Sequence, residues 1–305
     1  MALRLPWNRP VLKTEQGGLI LALAGFALLS SGDAVIKTMA GQWSPLAVAA
    51  LRFTLGAAGL SVILLLKEGR SAFRPQRPWL QAGRGACLAF ATMCFFAAIF
   101  VMPLAEATAL IFLAPIITAL LSGPLLKENV RPATWIASII AFVGVALVLR
   151  PNLSELGLIA LLPLGSAFAF SLMMLANRAV AGQGSSLSMQ VFVAAGAAPV
   201  LVLCAIAGDV SGAERFAVIW PDWTVIARCA IVAVTASMAH WLVYLGTTRA
   251  GAATIAPMTY VQLLVAVTLG WLIFGDRPDA MTMAGSAVII IAGLYLWNAG
   301  REKTS

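Results

Sequence analysis

Asp33 and Lys37 stand four residues apart in an otherwise apolar stretch. That spacing puts both on one face of a helix, with Ser30 one turn below. Arg52 stands in the next apolar stretch. Charged groups inside apolar segments are costly, roughly 2.5–3.5 kcal/mol each at a bilayer centre, so each needs a reason. One reason is binding: Arg52 and Lys37 would attract a carboxylate, and Asp33 an ammonium group or a proton. The other is mutual neutralisation, of Asp33 by Lys37 or of Asp33 by Arg52, and both readings are open. Further on, His240, Trp241 and Tyr244 cluster, with His240 and Tyr244 one helical turn apart, and Thr259, Tyr260 and Gln262 follow. Aromatics with polar tips suit a flat or zwitterionic solute through stacking and hydrogen bonds. The plain alternative is that they are hydrogen-bonded core residues.

Other chemistries are excluded by what the sequence lacks. One histidine cannot anchor a His-based metal centre, so no metal and no cofactor is expected. Cys87, Cys94, Cys204 and Cys229 lie in apolar stretches without CxxC spacing and read as buried thiols. There is no G-x-x-x-x-G-K-[ST] loop for ATP, no nucleophile motif and no ladder of arginines. The chain is not expected to be an enzyme.

The elements that must position these residues belong in lipid. Hydrophobic residues make up 61% and charged residues 10% of the 305, and mean hydropathy is +0.94. A soluble globule carries roughly a quarter charged residues and could not cover so apolar a chain. A crossing helix needs about 20 apolar residues. The chain divides into ten such stretches at 17–38, 45–66, 79–101, 105–125, 132–149, 156–179, 188–207, 223–245, 250–274 and 280–299. Residues 1–16 and 300–305 form polar ends, and the apolar run from Gly17 has no small-residue cleavage site.

The net charge of +8 then reads as orientation rather than as a nucleic-acid signal. With the N-terminus in the cytoplasm, the inner side receives Arg4, Arg9, Lys13, Lys67, Arg70, Arg74, Arg77, Arg84 and others, the outer side only Arg150, Arg215 and Arg277. Both termini are therefore expected in the cytoplasm of a bacterial inner membrane. Trp7, Trp43, Trp79, Trp220, Trp223 and Trp297 read as interfacial belt residues.

The halves 17–150 and 156–299 resemble each other. Gly18-Leu19-Ile20 recurs as Gly157-Leu158-Ile159, and Ala40-Gly41-Gln42-Trp43-Ser44 as Ala181-Gly182-Gln183-Gly184-Ser185. Lys37 falls against Arg178 and Arg84 against Arg228, whereas Asp33 meets Met174 and Arg52 meets Val193. Five helices per half is an odd number, so the second half enters from the opposite side. The fold class is all-α integral membrane, ten transmembrane helices as two inverted five-helix repeats.

Several stretches resemble the drug/metabolite transporter superfamily in its ten-helix EamA-type branch. They are Ser31-Gly32-Asp33-Ala34-Val35-Ile36-Lys37, Ala50-Leu51-Arg52-Phe53, Pro103 through Pro115 to Lys127-Glu128, and Arg249-Ala250-Gly251 through Phe274-Gly275-Asp276. Leu263 stands where many members have proline. The resemblance implies a central cavity between the halves, lined mainly by helices 1, 3, 4, 6, 8 and 9. It also implies solute transport without ATP. The leading expectation is export of amino acids, as by YddG-type members. The alternative is a larger flat solute such as riboflavin, S-adenosylmethionine or a cationic drug. A lipid-linked-substrate flippase or membrane enzyme would instead call for clustered charges at one interface, and a scaffold for none that matter.

The expected substrate-binding set is Asp33, Lys37, Arg52, His240, Trp241, Tyr244, Tyr260 and Gln262, with a small molecule, the bilayer and protons as partners and nucleic acid excluded. Pro115, Pro163, Pro199 and Pro257 are expected to interrupt helices, and Pro115, Pro163 and Pro257 to act in gating. Glu106 is expected as a solvated residue at a helix N-terminus. Gly56, Gly59 and Gly285 are expected to admit close helix contact, and Phe95 and Phe96 to be packing.

Overall fold

A computed structural model describes residues 15–126, 132–180, 182–250 and 255–301. Lys127, Glu128, Gly251 and Trp7 of the sequence expectations lie outside them, as do the side chains of Arg178, Pro257 and Trp297. The described residues form helices joined by short links. These are α1 (Glu15–Lys37), α2 (Pro45–Glu68), α3 (Pro78–Ile99), α4 (Leu104–Ile111), α5 (Ala114–Leu126), α6 (Pro132–Leu156), α7 (Leu162–Ala179), α8 (Ser186–Val210), α9 (Trp223–Ala250), α10 (Val261–Leu269) and α11 (Ala280–Arg301). Eight segments are long and apolar enough to cross a membrane, and two shorter apolar helices, Met258–Phe274 and Ala280–Leu296, complete the ten expected spans. Leu66, Leu158 and Val210 are each 80% exposed, a pattern that fits lipid-facing side chains and would be a liability in water.

Proline chemistry explains where two spans break. Pro115 has no N–H to give the Ile111 carbonyl, and its ring clashes with that carbonyl. Accordingly α4 stops at Ile111, and α5 starts at Ala114 with Pro115 in its first turn. Pro257 likewise lies at the start of the 3₁₀ segment Ala256–Tyr260, which leads into α10. Pro163 lies in the first turn of α7, after the 3₁₀ segment Gly157–Leu161. Each of the three stands at a helix start, where a missing N–H costs nothing, and Pro115 and Pro257 interrupt the expected spans 105–125 and 250–274. Pro199 alone of the four lies within a continuous helix, α8.

The packing partners follow the inverted repeat. α1 lies along α9 and its counterpart α7 lies along α3. α10 packs on α1 as α4 and α5 pack on α7. α2 pairs with α8, and α6 with α11, each with its own counterpart. Glycines allow the closest approaches. A Cβ on Gly85 would stand 2.5 Å from the Gly196 backbone, one on Gly25 2.7 Å from Val243, and one on Gly144 2.7 Å from the Gly285 carbonyl. Gly56 and Gly59 have nothing within 4 Å of such a Cβ, so the expected close contact there is corrected, while Gly285 keeps it.

Side-chain bonds tie the loops of each face together. Ser185 Oγ donates to Glu68 at one end, which we term the basic face after its lysines and arginines. At the opposite face Trp43 Nε1 donates to the Ile219 carbonyl at 2.8 Å. Trp79, Trp220 and Trp223 are 75–89% exposed near these two ends, as belt residues are.

Candidate functional site

Three helices bring charged and titratable side chains together inside the bundle. Asp33 lies on α1 one turn before Lys37, Arg52 two turns into α2, and His240 on α9. The Asp33 carboxylate and the Arg52 guanidinium act on each other electrostatically, and Arg52 also acts on His240 and Cys229. No direct ion pair joins Asp33 and Arg52, and none of Asp33, Arg52 and His240 has a hydrogen-bonding side-chain partner among the described residues.

Arg52 is instead held by rings. Its guanidinium carbon lies 4.8 Å from the Phe53 ring centre and 5.6 Å from that of Phe96. Cation–π contacts reach about 2 kcal/mol when desolvated. Two of them go far toward offsetting the insertion cost of the charge while leaving its N–H donors unused. Phe96, expected as packing only, is therefore part of this group. Residues beside an arginine in the sequence, such as Phe53, are easily found; Phe96 carried no such signal.

Lys37 is placed elsewhere. Its Nζ donates to Asp276 at 2.6 Å and to the Met102 carbonyl at 3.0 Å, and it lies 4.8 Å from the centre of the Phe274 ring. The Lys37 and Asp276 side chains are 12% and 22% exposed. The neutralising partner of Lys37 is thus Asp276 and not Asp33, which corrects one of the two pairings left open. This clasp joins the end of α1 to the α3–α4 link and to the turn after Phe274. That turn reverses at Gly275, whose φ of 71° favours glycine. Beside it, Arg228 of α9 donates to the Thr38 carbonyl and hydroxyl at 3.1 Å and to Gln42 at 2.5 Å. Together these bonds tie the end of α1 to α9 and to the turn at Gly275 on the opposite face. Below them Cys229 Sγ rests 3.8 Å from Met39 Sδ, and both residues are fully buried.

Of the other expected residues, Trp241 and Tyr244 follow His240 along α9 toward the basic face. Tyr244, one turn below His240, lines a cavity of about 340 Å³ with Arg84, Asn177, Ser186, Met189 and Gln190. Trp241 and Tyr244 are both more than two-fifths exposed. Gln262 belongs to the α1–α10 contact and Tyr260 to a contact with the α4–α5 break and α11. Tyr260 stands edge-on to Phe112 with ring centres 5.2 Å apart and sets its hydroxyl against Gly293. The Gln262 side chain donates to Thr259 at 2.8 Å, and its main-chain carbonyl accepts from Ser30. Glu106 is buried in the first turn of α4 near the Thr282 hydroxyl, which corrects its expected solvation. Arg84, counted with the inner-loop cations, is in fact buried on α3.

The arrangement can hold an anionic group on Arg52 and a cationic group or proton on Asp33. The described residues contain no cluster of potential metal ligands.

Comparison with known proteins places this geometry. The profile of the EamA-like transporter family matches residues 16–150 and again 157–299. The chain is similar to an S-adenosylmethionine uptake transporter of Rickettsia bellii, 25% identical over 297 residues, covering 96% of this chain and 98% of that protein. It is also similar to a riboflavin transporter of Rhizobium johnstonii, 27% identical over 286 residues and 92% and 90% of the two chains. A pseudopaline exporter of Pseudomonas aeruginosa is 23% identical over 94% of this chain and 98% of its own. One solved crystal structure aligns with a TM-score of 0.63 at 21% identity, over 94% of this chain and 99% of that one, and so shares its fold.

Proposed function

The chain belongs to the EamA-like transporter family, and from that premise we propose how and on what it acts. It is a multi-pass membrane transporter and not an enzyme. Its solute has an amino-acid-like head group, taken between Arg52, which receives the carboxylate, and Asp33, which receives the ammonium group or a coupling proton. The observation that carries this reading is the Asp33–Arg52 pair. The two charges interact across the bundle without a direct bond, and their donors and acceptors stay available to a third party. Arginine and carboxylate frequently close into a bidentate contact, and this pair does not.

Transport proceeds by alternating access. The clasp of Lys37 on Asp276 and the bonds of Arg228 hold the outer face shut, with both termini in the cytoplasm of a bacterial inner membrane. The breaks at Phe112–Leu113 and Ala256–Tyr260, each beside Pro115 or Pro257, are the hinges. They occupy equivalent places in the two halves, so either face can open by the same bend. Pro163, at a helix start that faces no such break in α1, serves as a starter of α7. Export of amino acids is the leading form of this reading. The second reading, a larger flat solute, is favoured by relatives named for riboflavin and S-adenosylmethionine and by the rings around Arg52.

The test is uptake by proteoliposomes of labelled amino acids, S-adenosylmethionine and riboflavin. Flux of solutes bearing both carboxylate and ammonium groups is expected. Flux of riboflavin or S-adenosylmethionine without the amino acids would replace the first reading by the second, and flux of none of them would overturn both.

A further inference from the structure

Apart from the Asp33–Arg52 group, α3 carries a second buried guanidinium that the transport reading does not use. Arg84 is 5% exposed. Its Nε donates to Asn177 Oδ1 at 2.6 Å, and its Nη1 to Gln81 Oε1 and, at 3.6 Å, to Met189 Sδ. Every one of these acceptors is neutral, and among the described residues no carboxylate pairs with Arg84. Amide oxygens orient a guanidinium but leave its charge uncompensated, and a buried charge without a counter-charge is strongly disfavoured. Its Nη2 has no acceptor among the described residues.

The missing partner has room. Arg84 lines the cavity of about 340 Å³ at the basic face, beside Ser186, Gln190 and Tyr244. Ser186 is the first residue of the 25-residue helix α8. The Ser185 side chain already accepts the Ser188 N–H, while the N–H groups of Ser186 and Leu187 have no acceptor within the helix. A guanidinium with a free Nη2 and the first residue of α8, Ser186, therefore line one cavity. That combination suits an oxyanion, because Nη2 offers a charge-assisted donor and the helix end adds positive potential.

We infer that this cavity is a binding site for a carboxylate or phosphate group, held by Arg84 and the first turn of α8. The site is separate from Arg52 and stands or falls independently of the transport reading. Its oxyanion comes either from a dissolved anion or from a lipid phosphate.

The test is thermal unfolding of the full chain in an uncharged detergent, with sodium phosphate or acetate against sodium chloride at equal ionic strength. Phosphate and acetate should raise the melting temperature saturably, and chloride should not. Arg84→Gln should still melt cooperatively and need at least about tenfold more anion for the same rise, the loss of one charge-assisted bond. Ser186→Glu, which supplies a carboxylate beside Arg84, should abolish the anion response in a folded protein. Repeating the titration in nanodiscs distinguishes the sources. A phosphate response in phosphatidylcholine that vanishes with phosphatidylglycerol identifies the phosphate of an anionic lipid, and one that persists identifies a dissolved anion. Equal responses to phosphate and chloride in the unaltered protein, or unchanged responses in both variants, would overturn the proposal.

Discussion

Replacing Lys37 with Met should unlatch the closed face. The substitution removes a charge-assisted bond of 2.6 Å to Asp276 and a bond of 3.0 Å to the Met102 carbonyl. A charge-assisted bond contributes about 1.5–3 kcal/mol and a neutral one about 1 kcal/mol. With the pair only 12% and 22% exposed, solvent screening is limited, and the closed state should lose about 2–3 kcal/mol in all. At 1.4 kcal/mol per factor of ten, the open population rises about 30- to 140-fold. Cys229 supplies the assay. Its thiol is fully buried beneath Met39, two turns from the closed face, so a polar maleimide reaches it only when that face opens. In a background with Cys87, Cys94 and Cys204 replaced by Ala, the modification rate should rise by that factor in Lys37→Met. Asp276→Asn should act similarly, and the double variant should fall short of the product of the two by the energy of the pair. Unchanged rates in both single variants, or strictly multiplicative effects, would refute the clasp.

Further expectations concern packing and pH. Gly25→Val should lower stability by about 1–3 kcal/mol in denaturation, because its Cβ would meet Val243 at 2.7 Å and the Ala239 carbonyl at 2.8 Å, whereas Gly56→Ala, in open space, should not. The N–H of Thr224 donates to Asp222 at 2.8 Å and that of Thr282 to Asp279 at 2.6 Å, holding both exposed carboxyls below the usual carboxylate range. Groups with depressed folded-state values stabilise above their unfolded value and lose that contribution as pH falls through the folded one, so melting temperature should drop below about pH 4. A double Asp222→Asn, Asp279→Asn variant, which keeps an acceptor at each helix start, should flatten that acid limb; an acid limb unchanged in the variant would dismiss the two caps as its source.

The ten spans were legible because apolar length is a local property, and length alone decides whether a helix can cross a bilayer. The inverted pairing was legible too, from the odd helix number and the ordered matches. Pairings across the chain were not. Lys37 and Asp276 are separated by 239 residues, and Asp33, four residues away, was the nearer candidate. Proline showed where spans break but not that the break falls three residues earlier, where Pro115 denies Ile111 its bond. Arg84 was placed in a loop because counting cations by side ignores burial. Gly56 and Gly59 were read as contact residues because small size permits close approach without requiring it. Within the candidate site, Asp33, Arg52 and His240 were chosen for their cost or rarity in lipid and stand together, while Tyr260 and Gln262 were chosen for polarity and lie in a helix contact.

The central claim is that Arg52 and Asp33 form the solute site, and proteoliposome flux tests it most directly. Arg52→Gln and Asp33→Asn preserve size and remove one charge each. In protein that reconstitutes and melts like the unaltered chain, each should lower flux about 10- to 100-fold, the equivalent of one lost charge-assisted bond. Flux that matches the unaltered protein in both variants would contradict the account.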